Sequence, residues 1–152
     1  TLIFSRQNTS VLNRDSNQVN LIQKGGYLLK EHASPDLCII ASGSEVQLAL
    51  DAASNLSKDG INANIISMPS LDLFLEQSDD YKASVLGKNL PTLAVEMAHP
   101  DSWYKLLNKS DKVLGIETFG ESAPASDLMQ HFGFTITNVV SMAKSLLDEE
   151  SS

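Results

Sequence analysis

A strand–helix–strand pattern over residues 37–67 most constrains the fold of this chain. Residues 37–41 (Leu-Cys-Ile-Ile-Ala) are continuously apolar, which is typical of a strand covered on both faces. A helical stripe follows, with its apolar positions three or four residues apart; these are Val46, Ala49, Leu50, Ala53 and Leu56. Residues 62–67 are the next strand. Such units normally join parallel strands by a right-handed crossover, so the pattern predicts an α/β domain.

Three further strands are predicted at residues 27–30, 92–97 and 113–116. Together the five strands predict a three-layer α/β/α sandwich over residues 23–147, with a mainly parallel five-stranded sheet. Residues 11–20 have no clear period and are interpreted as a linker.

Helices are predicted on either side of these strands. Short helical turns are expected within residues 71–77 and 79–86, and a helix around Trp103 and Tyr104 should pack on the sheet. We expect Thr137 to cap a final helix, followed by an acidic, frayed tail at residues 148–152. The buried face of that helix comprises Val139, Val140, Ala143, Leu146 and Leu147.

The start of the helix after residues 37–41 allows two interpretations. Ser44 and Gln47 fit a capping box, which predicts a plain capped helix. Alternatively, the free N–H groups at Ser44 could bind a small anion. The capped helix is the favoured interpretation.

Composition excludes several classes of function. The 152 residues carry 11 basic and 19 acidic side chains, a net charge of −8, and no basic cluster that a nucleic-acid surface needs. No apolar run approaches the roughly 20 residues that span a bilayer, and no secretion signal is recognisable. The single cysteine, Cys38, lies in an apolar run and is predicted to be a buried strand residue. We therefore expect a cytoplasmic protein without nucleic-acid or membrane partners.

Few residues suggest chemistry on their own. Glu96 and Glu117 lie near strand ends and could form a general acid–base pair, although nothing in the sequence brings them together. The three histidines, His32, His99 and His131, lack ligand spacing, so no metal site is predicted. The glycine pair in residues 25–26 indicates a turn, since the spacing and the following helix of a phosphate loop are absent.

Four strings, in order along the chain, resemble one family. They are Ser-Arg-Gln-Asn at residues 5–8, Lys-Gly-Gly-Tyr at 24–27, Ser-Gly-Ser-Glu-Val at 42–46, and Thr-Phe-Gly-Glu-Ser-Ala-Pro-Ala at 118–125, followed by Phe-Gly-Phe-Thr at 132–135. This order is similar to that of transketolases, and the last string resembles the signature of their third, C-terminal domain. The resemblance extends from Ser5 to about Leu147.

The resemblance implies two parts, with a boundary near Ile22. Residues 1–22 would be the last strand of the preceding pyrimidine-binding domain plus a linker, and residues 23–152 the transketolase C-terminal domain. The chain begins without methionine inside a predicted strand at residues 1–4, so we expect a piece of a longer protein.

The resemblance also implies the chemistry of the whole enzyme. Transketolases use thiamine diphosphate and a divalent cation, Mg²⁺ or Ca²⁺, to transfer a two-carbon ketol unit between sugar phosphates, and they are homodimers. Arg6 matches the family arginine that binds the substrate phosphate. No catalytic, cofactor-binding or metal-binding residue of the family matches a position here, so this piece alone is expected to bind no cofactor and to be inactive.

Two alternatives differ from this interpretation. The chain could be a stand-alone α/β binding or interaction module. It could also be the same domain of another thiamine-dependent enzyme, a deoxyxylulose-phosphate synthase or a dehydrogenase β-subunit.

Overall fold

A computed structural model describes residues 11–118 and 125–150 of the chain. The predicted strand at residues 1–4, Arg6 and most of the signature at residues 118–125 lie outside the described residues. Within the described part, no helix is long and apolar enough to cross a bilayer.

The described residues contain one five-stranded sheet. Its strands are β1 (Tyr27–Lys30), β2 (Leu37–Ala41), β3 (Ala63–Ser67), β4 (Thr92–Val95) and β5 (Lys112–Leu114). Their order is β1-β3-β2-β4-β5. The β2–β3, β2–β4 and β4–β5 pairs are parallel, and the β1–β3 pair is antiparallel. The predicted α/β class, the five strands and the mainly parallel pairing are confirmed.

Helices cover both faces of the sheet. They are α1 (Ser16–Leu21), α2 (Glu45–Lys58), α3 (Leu71–Leu75), α4 (Asp79–Leu86), α5 (Ala125–His131) and α6 (Ile136–Glu150). Two 3₁₀ turns, Ile22–Lys24 and Pro100–Lys105, complete the described elements. The predicted helical turns at residues 71–77 and 79–86 are confirmed as α3 and α4.

Alternating strand residues build a core on each face of the sheet. From β2, Leu37, Ile39 and Ala41 contribute to the core that α2 and α6 cover. Cys38 and Ile40 contribute to the opposite core, with Phe74 of α3 and Val85 of α4. Because successive strand side chains point to opposite faces, one apolar run fills both cores, as expected for a strand buried on both sides.

Three local predictions are wrong. The linker at residues 11–20 includes most of α1, whose N-cap Asp15 accepts a hydrogen bond from the Gln18 backbone N–H. The helix predicted around Trp103 and Tyr104 is present as a 3₁₀ helix; Trp103 is buried against the sheet, whereas Tyr104 is exposed. The Thr135 hydroxyl, not that of Thr137, accepts a backbone N–H at the start of α6, because the helix begins two residues earlier than a cap at Thr137 predicts.

The third wrong prediction concerns the acidic tail. Helix α6 continues to Glu150 instead of fraying at residue 148, and residues 151–152 of the predicted tail lie outside the described residues. Glu149 lies 2.6 Å from the Lys112 Nζ atom of β5, and the Ser145 hydroxyl also bonds to that ammonium group. The ion pair gives the last turn of α6 a charged partner on the edge strand of the sheet.

Candidate functional site at the carboxyl edge of the sheet

The described part of the chain has one crevice of the kind in which α/β proteins bind ligands. Strands β2 and β4 are parallel neighbours. The chain leaves β2 toward α2 on one face of the sheet and leaves β4 toward the turn containing Trp103 on the other. Connections that diverge in this way open a crevice at the carboxyl ends of the strands. Ser42 and Glu96 are the first residues after the two strands.

Two serine–carboxylate pairs occupy the crevice. The Ser42 hydroxyl donates to Glu96 Oε2 at 2.6 Å, which links the ends of β2 and β4. The Ser44 hydroxyl donates to Glu45 Oε1, also at 2.6 Å. The predicted capping box of Ser44 and Gln47 is therefore wrong, since the Ser44 side chain makes no cap hydrogen bond.

Both carboxyl groups hold their protons more tightly than usual. Burial raises the pKa of Glu45, which is 4% exposed, against the lowering effect of hydrogen bonds from Ser44 and from the backbone of Glu45 and Met97. Burial also raises the pKa of Glu96, where the nearby Glu45 charge adds to the rise and the Ser42 bond opposes it. Two neighbouring carboxyls at the start of α2 disfavour a bound anion there.

A groove of about 310 Å³ adjoins this pair. Its polar lining includes the hydroxyl groups of Ser42, Ser70 and Ser102 and the carboxyl groups of Asp72 and Glu96. Among the described residues that line it there is no lysine or arginine. These described residues suit a neutral polar or cationic group better than a phosphate.

The other residues that the sequence suggested for chemistry do not form a site together with Glu96 in the described part of the chain. Glu96 is electrostatically coupled to Glu45, which sequence reasoning did not consider, whereas Glu117 is exposed. The Cys38 thiol is buried and donates to the Leu86 carbonyl, and burial raises its pKa to about 12. Over residues 11–118 and 125–150, no three His, Cys, Asp or Glu side chains are grouped to hold a metal ion.

The Gly25–Gly26 pair has a packing role. Gly25 has φ of +84°, and a Cβ atom there would lie 2.4 Å from the Ser70 carbonyl oxygen. A Cβ on Gly26 would lie 2.5 Å from the Met68 sulfur. The pair lets the entry to β1 approach the start of α3 closely, in agreement with the turn that the sequence predicted.

Residues preceding that turn are attached to β1. Arg14 Nε donates to the Tyr27 hydroxyl at 2.6 Å, and Gln18 Nε2 donates to the carbonyls of Leu28 and Leu29 at 3.0 and 2.9 Å. Sequence reasoning missed these contacts. The spacing of Asp15 and Gln18, which form a capping box, is the signal that could have indicated an ordered helix start.

Comparison with known proteins gives the same assignment as the sequence strings. The family model described as a transketolase-like TK C-terminal domain matches residues 25–135. The chain belongs to the transketolase C-terminal domain family. A transketolase 2 of Aliivibrio fischeri is 47% identical over 96% of this chain, which spans 22% of that protein's length.

Solved structures of transketolases are similar to this chain as well. A transketolase variant from Pichia stipitis superposes with a TM-score of 0.87 at 35% identity, over 96% of this chain and 21% of that one. A split-gene transketolase described as an inactive tetramer superposes with a TM-score of 0.66 at 24% identity, over 94% of this chain and 48% of that one, and shows the fold alone. The chain thus spans about a fifth of the length of the curated relatives that it matches.

Proposed function

We propose that this chain is the C-terminal domain of a thiamine diphosphate-dependent transketolase of the pentose phosphate pathway. The whole enzyme would move a two-carbon ketol unit between sugar phosphates, with the cofactor as the electron sink. The observation that carries this proposal is the family match over residues 25–135, together with 47% identity to a transketolase across 96% of the chain.

The cofactor and its cation, Mg²⁺ or Ca²⁺, would bind in the other domains of the enzyme. The residues described here do not fit them: residues 11–118 and 125–150 group no three metal-ligating side chains. The Glu45 carboxyl at the start of α2 and the nearby Glu96 carboxyl after β4 would disfavour a bound diphosphate there. We therefore assign this domain a supporting role in a cytoplasmic homodimer, and we expect the chain alone to be inactive.

Titration calorimetry tests the expected inactivity. The chain, in buffer with Mg²⁺, is titrated with thiamine diphosphate, and the complete enzyme serves as the positive control. We expect saturable heat from the complete enzyme alone. Saturable binding by the isolated chain would contradict the supporting role.

Arg6 is proposed to bind the substrate phosphate in the complete enzyme. A guanidinium group offers a planar fork of donors that matches phosphate oxygens, and a charge-assisted hydrogen bond contributes about 1.5–3 kcal/mol. Arg6→Ala should therefore lower kcat/KM for phosphorylated sugars about ten- to a hundredfold, mainly through KM. Arg6→Lys should recover part of the loss, since it keeps the charge without the fork.

Unphosphorylated sugars provide the control for Arg6. They lack the group that Arg6 would bind, so their slow turnover should be unchanged in Arg6→Ala. Equal losses for phosphorylated and unphosphorylated sugars would show that Arg6 does not bind the phosphate.

A further inference from the structure

We propose that an apolar patch formed by Val19, Ile22 and Leu73 is the surface on which the preceding pyrimidine-binding domain of the complete enzyme packs. The inference rests on the proposed function, because it takes this chain to be the C-terminal domain of a longer transketolase. It starts from three apolar side chains that the two cores of the described residues do not use.

The three side chains are exposed to an unusual extent for apolar residues. Val19 is 52% exposed, Ile22 38% and Leu73 44%. Apolar residues exposed singly are normal on a protein surface, whereas neighbouring ones mark contact surfaces. The position of the three relative to one another therefore decides what they indicate.

Backbone contacts bring these side chains to one junction of the fold. The Ile22 N–H donates to the Val19 carbonyl, so the two residues are one helical turn apart. The Gly25 N–H donates to the Ile22 carbonyl at 3.0 Å. Gly25 also lies against α3: its carbonyl accepts the Ser70 N–H at 2.9 Å, and a Cβ atom on it would lie 2.8 Å from the Leu73 Cβ. The patch thus spans the end of α1 and the first turn of α3.

Helix α1 lacks the buried face that normally stabilises a helix. None of its six residues is buried, and a helix shorter than about twelve residues is marginal in water without tertiary packing. The Gln18 side chain bonds to β1, while Val19 remains exposed. A surface that covers Val19 would supply the missing packing.

The occupant follows from where the rest of the polypeptide lies. This chain spans 22% of a transketolase 2 that it matches, and its family model describes a C-terminal domain. In the complete enzyme, about four fifths of the polypeptide would therefore precede the domain and enter it through residues 11–22. Because α1 lies within that connection, the preceding domain is covalently held close to the patch, at a high effective concentration.

The rim of the patch predicts the chemistry of the surface that covers it. Exposed Asp72 and Glu76 flank Leu73 along α3. Domain and protein interfaces commonly combine an apolar centre with a polar rim of complementary charge. The covering surface should therefore present apolar side chains to the patch and basic or uncharged polar side chains to Asp72 and Glu76.

Hydroxyl-radical footprinting of the isolated chain and of the complete enzyme measures the exposure of each side chain. If docking lowers the exposed fraction of Leu73 from 44% to the few percent of an interface centre, Leu73 should be labelled about tenfold more slowly in the complete enzyme. Val19 and Ile22 should be protected in the same way. Tyr104 and Ile136 are internal controls: they are 57% and 37% exposed on other elements and should be labelled equally in both proteins.

A matched pair of variants tests whether the patch itself makes the contact. Leu73→Gln places an uncharged polar side chain in the first turn of α3 and should speed the labelling of Val19 and Ile22 in the complete enzyme. Ile136→Gln makes the same change in the first turn of α6 and should leave that labelling slow. Neither variant should shift the unfolding midpoint of the isolated chain, because both side chains are exposed there.

Photo-crosslinking identifies what covers the patch. Benzoylphenylalanine in place of Leu73, irradiated in the complete enzyme, should cross-link within one chain to the preceding domain. A cross-linked product of twice the chain mass would assign the patch to a second copy and overturn the inference.

The outcomes distinguish this inference from the proposed function. Equal labelling of Leu73 in the isolated chain and in the complete enzyme would overturn the docking surface, whatever the activity of the enzyme. Protection of Tyr104 and Ile136 to the same extent as Leu73 would overturn it as well. Absence of ketol transfer by the complete enzyme would overturn the proposed function, while the labelling would still report whether a preceding domain covers the patch.

Discussion

Replacement of Gly25 by alanine should destabilise the domain by inserting a methyl group into the first turn of α3. The new Cβ would lie 2.4 Å from the Ser70 carbonyl oxygen and 2.5 Å from the Phe74 backbone nitrogen. Those two atoms are joined by a 3.1 Å hydrogen bond that begins the helix. Neither is the flexible end of a side chain, so β1 and α3 would have to move apart.

Two costs add at this position. An L-residue in the left-handed region loses about 1–2 kcal/mol, and Gly25 has φ of +84°. Overpacking adds about 1–3 kcal/mol. The sum of about 2–5 kcal/mol is a large share of the 5–15 kcal/mol by which typical domains are stable.

Gly60→Ala is the matched control. Gly60 has φ of +78°, but a Cβ there would have nothing within 4 Å. Gly60→Ala should therefore lower the free energy of unfolding by only about 1–2 kcal/mol, the cost of placing an L-residue in the left-handed region. The difference between the two variants therefore isolates the packing term, about 1–3 kcal/mol.

Urea unfolding followed by far-ultraviolet circular dichroism measures both variants. Each kilocalorie lost should also lower Tm by about 2–4 °C for a domain of this size. If Gly25→Ala and Gly60→Ala lose equal stability, the close approach of β1 to α3 has no energetic consequence and the reasoning is refuted.

Three other predictions concern titration, reactivity and capping. In the folded chain the pKa values of Glu45 and Glu96 lie above the ordinary glutamate value of about 4.3, so wild-type stability should fall as the pH rises above that value. Because glutamine does not ionise, the Tm of Glu96→Gln relative to wild type should be higher at pH 7–8 than at pH 4.5. A difference in Tm that does not change with pH would contradict this. Cys38, with a pKa of about 12, should react with a thiol reagent at pH 8 only in denaturant, so rapid labelling of folded protein would argue against its burial. In urea unfolding, Thr135→Ala should lower the free energy of unfolding by about 1 kcal/mol, and Thr137→Ala should lower it by less than about 0.5 kcal/mol. A larger loss in Thr137→Ala than in Thr135→Ala would show that Thr137 is the cap.

The sheet was predictable because its strands are short, apolar and bounded by turn residues. The run from Leu37 to Ala41 is long enough for a strand and too short for a helix, and it is buried at all five positions. The parallel pairing followed from the helix between β2 and β3, since a crossover is needed to join parallel neighbours.

The site was less predictable because its contacts are between distant residues. Ser42 and Glu96 are 54 residues apart, and only the adjacency of β2 and β4 brings them together. The predicted Ser44 cap was wrong because the Ser44 hydroxyl donates to the Glu45 carboxylate and makes no hydrogen bond to the helix backbone. Helix α1 was missed because a short polar helix has no apolar stripe, so periodicity alone does not detect it.

Helix α6 sets the order in which this domain can be completed as the chain leaves the ribosome. Val139, Ala143 and Leu146 are each 0% exposed and fill the core against α2. Until those residues emerge, the part of α2 that packs against α6 and the part of the sheet that α6 covers, at β4 and β5, remain uncovered. Folding of this half of the core therefore has to wait for nearly the last turn of α6, while the opposite core, which needs nothing from α6, can form during synthesis.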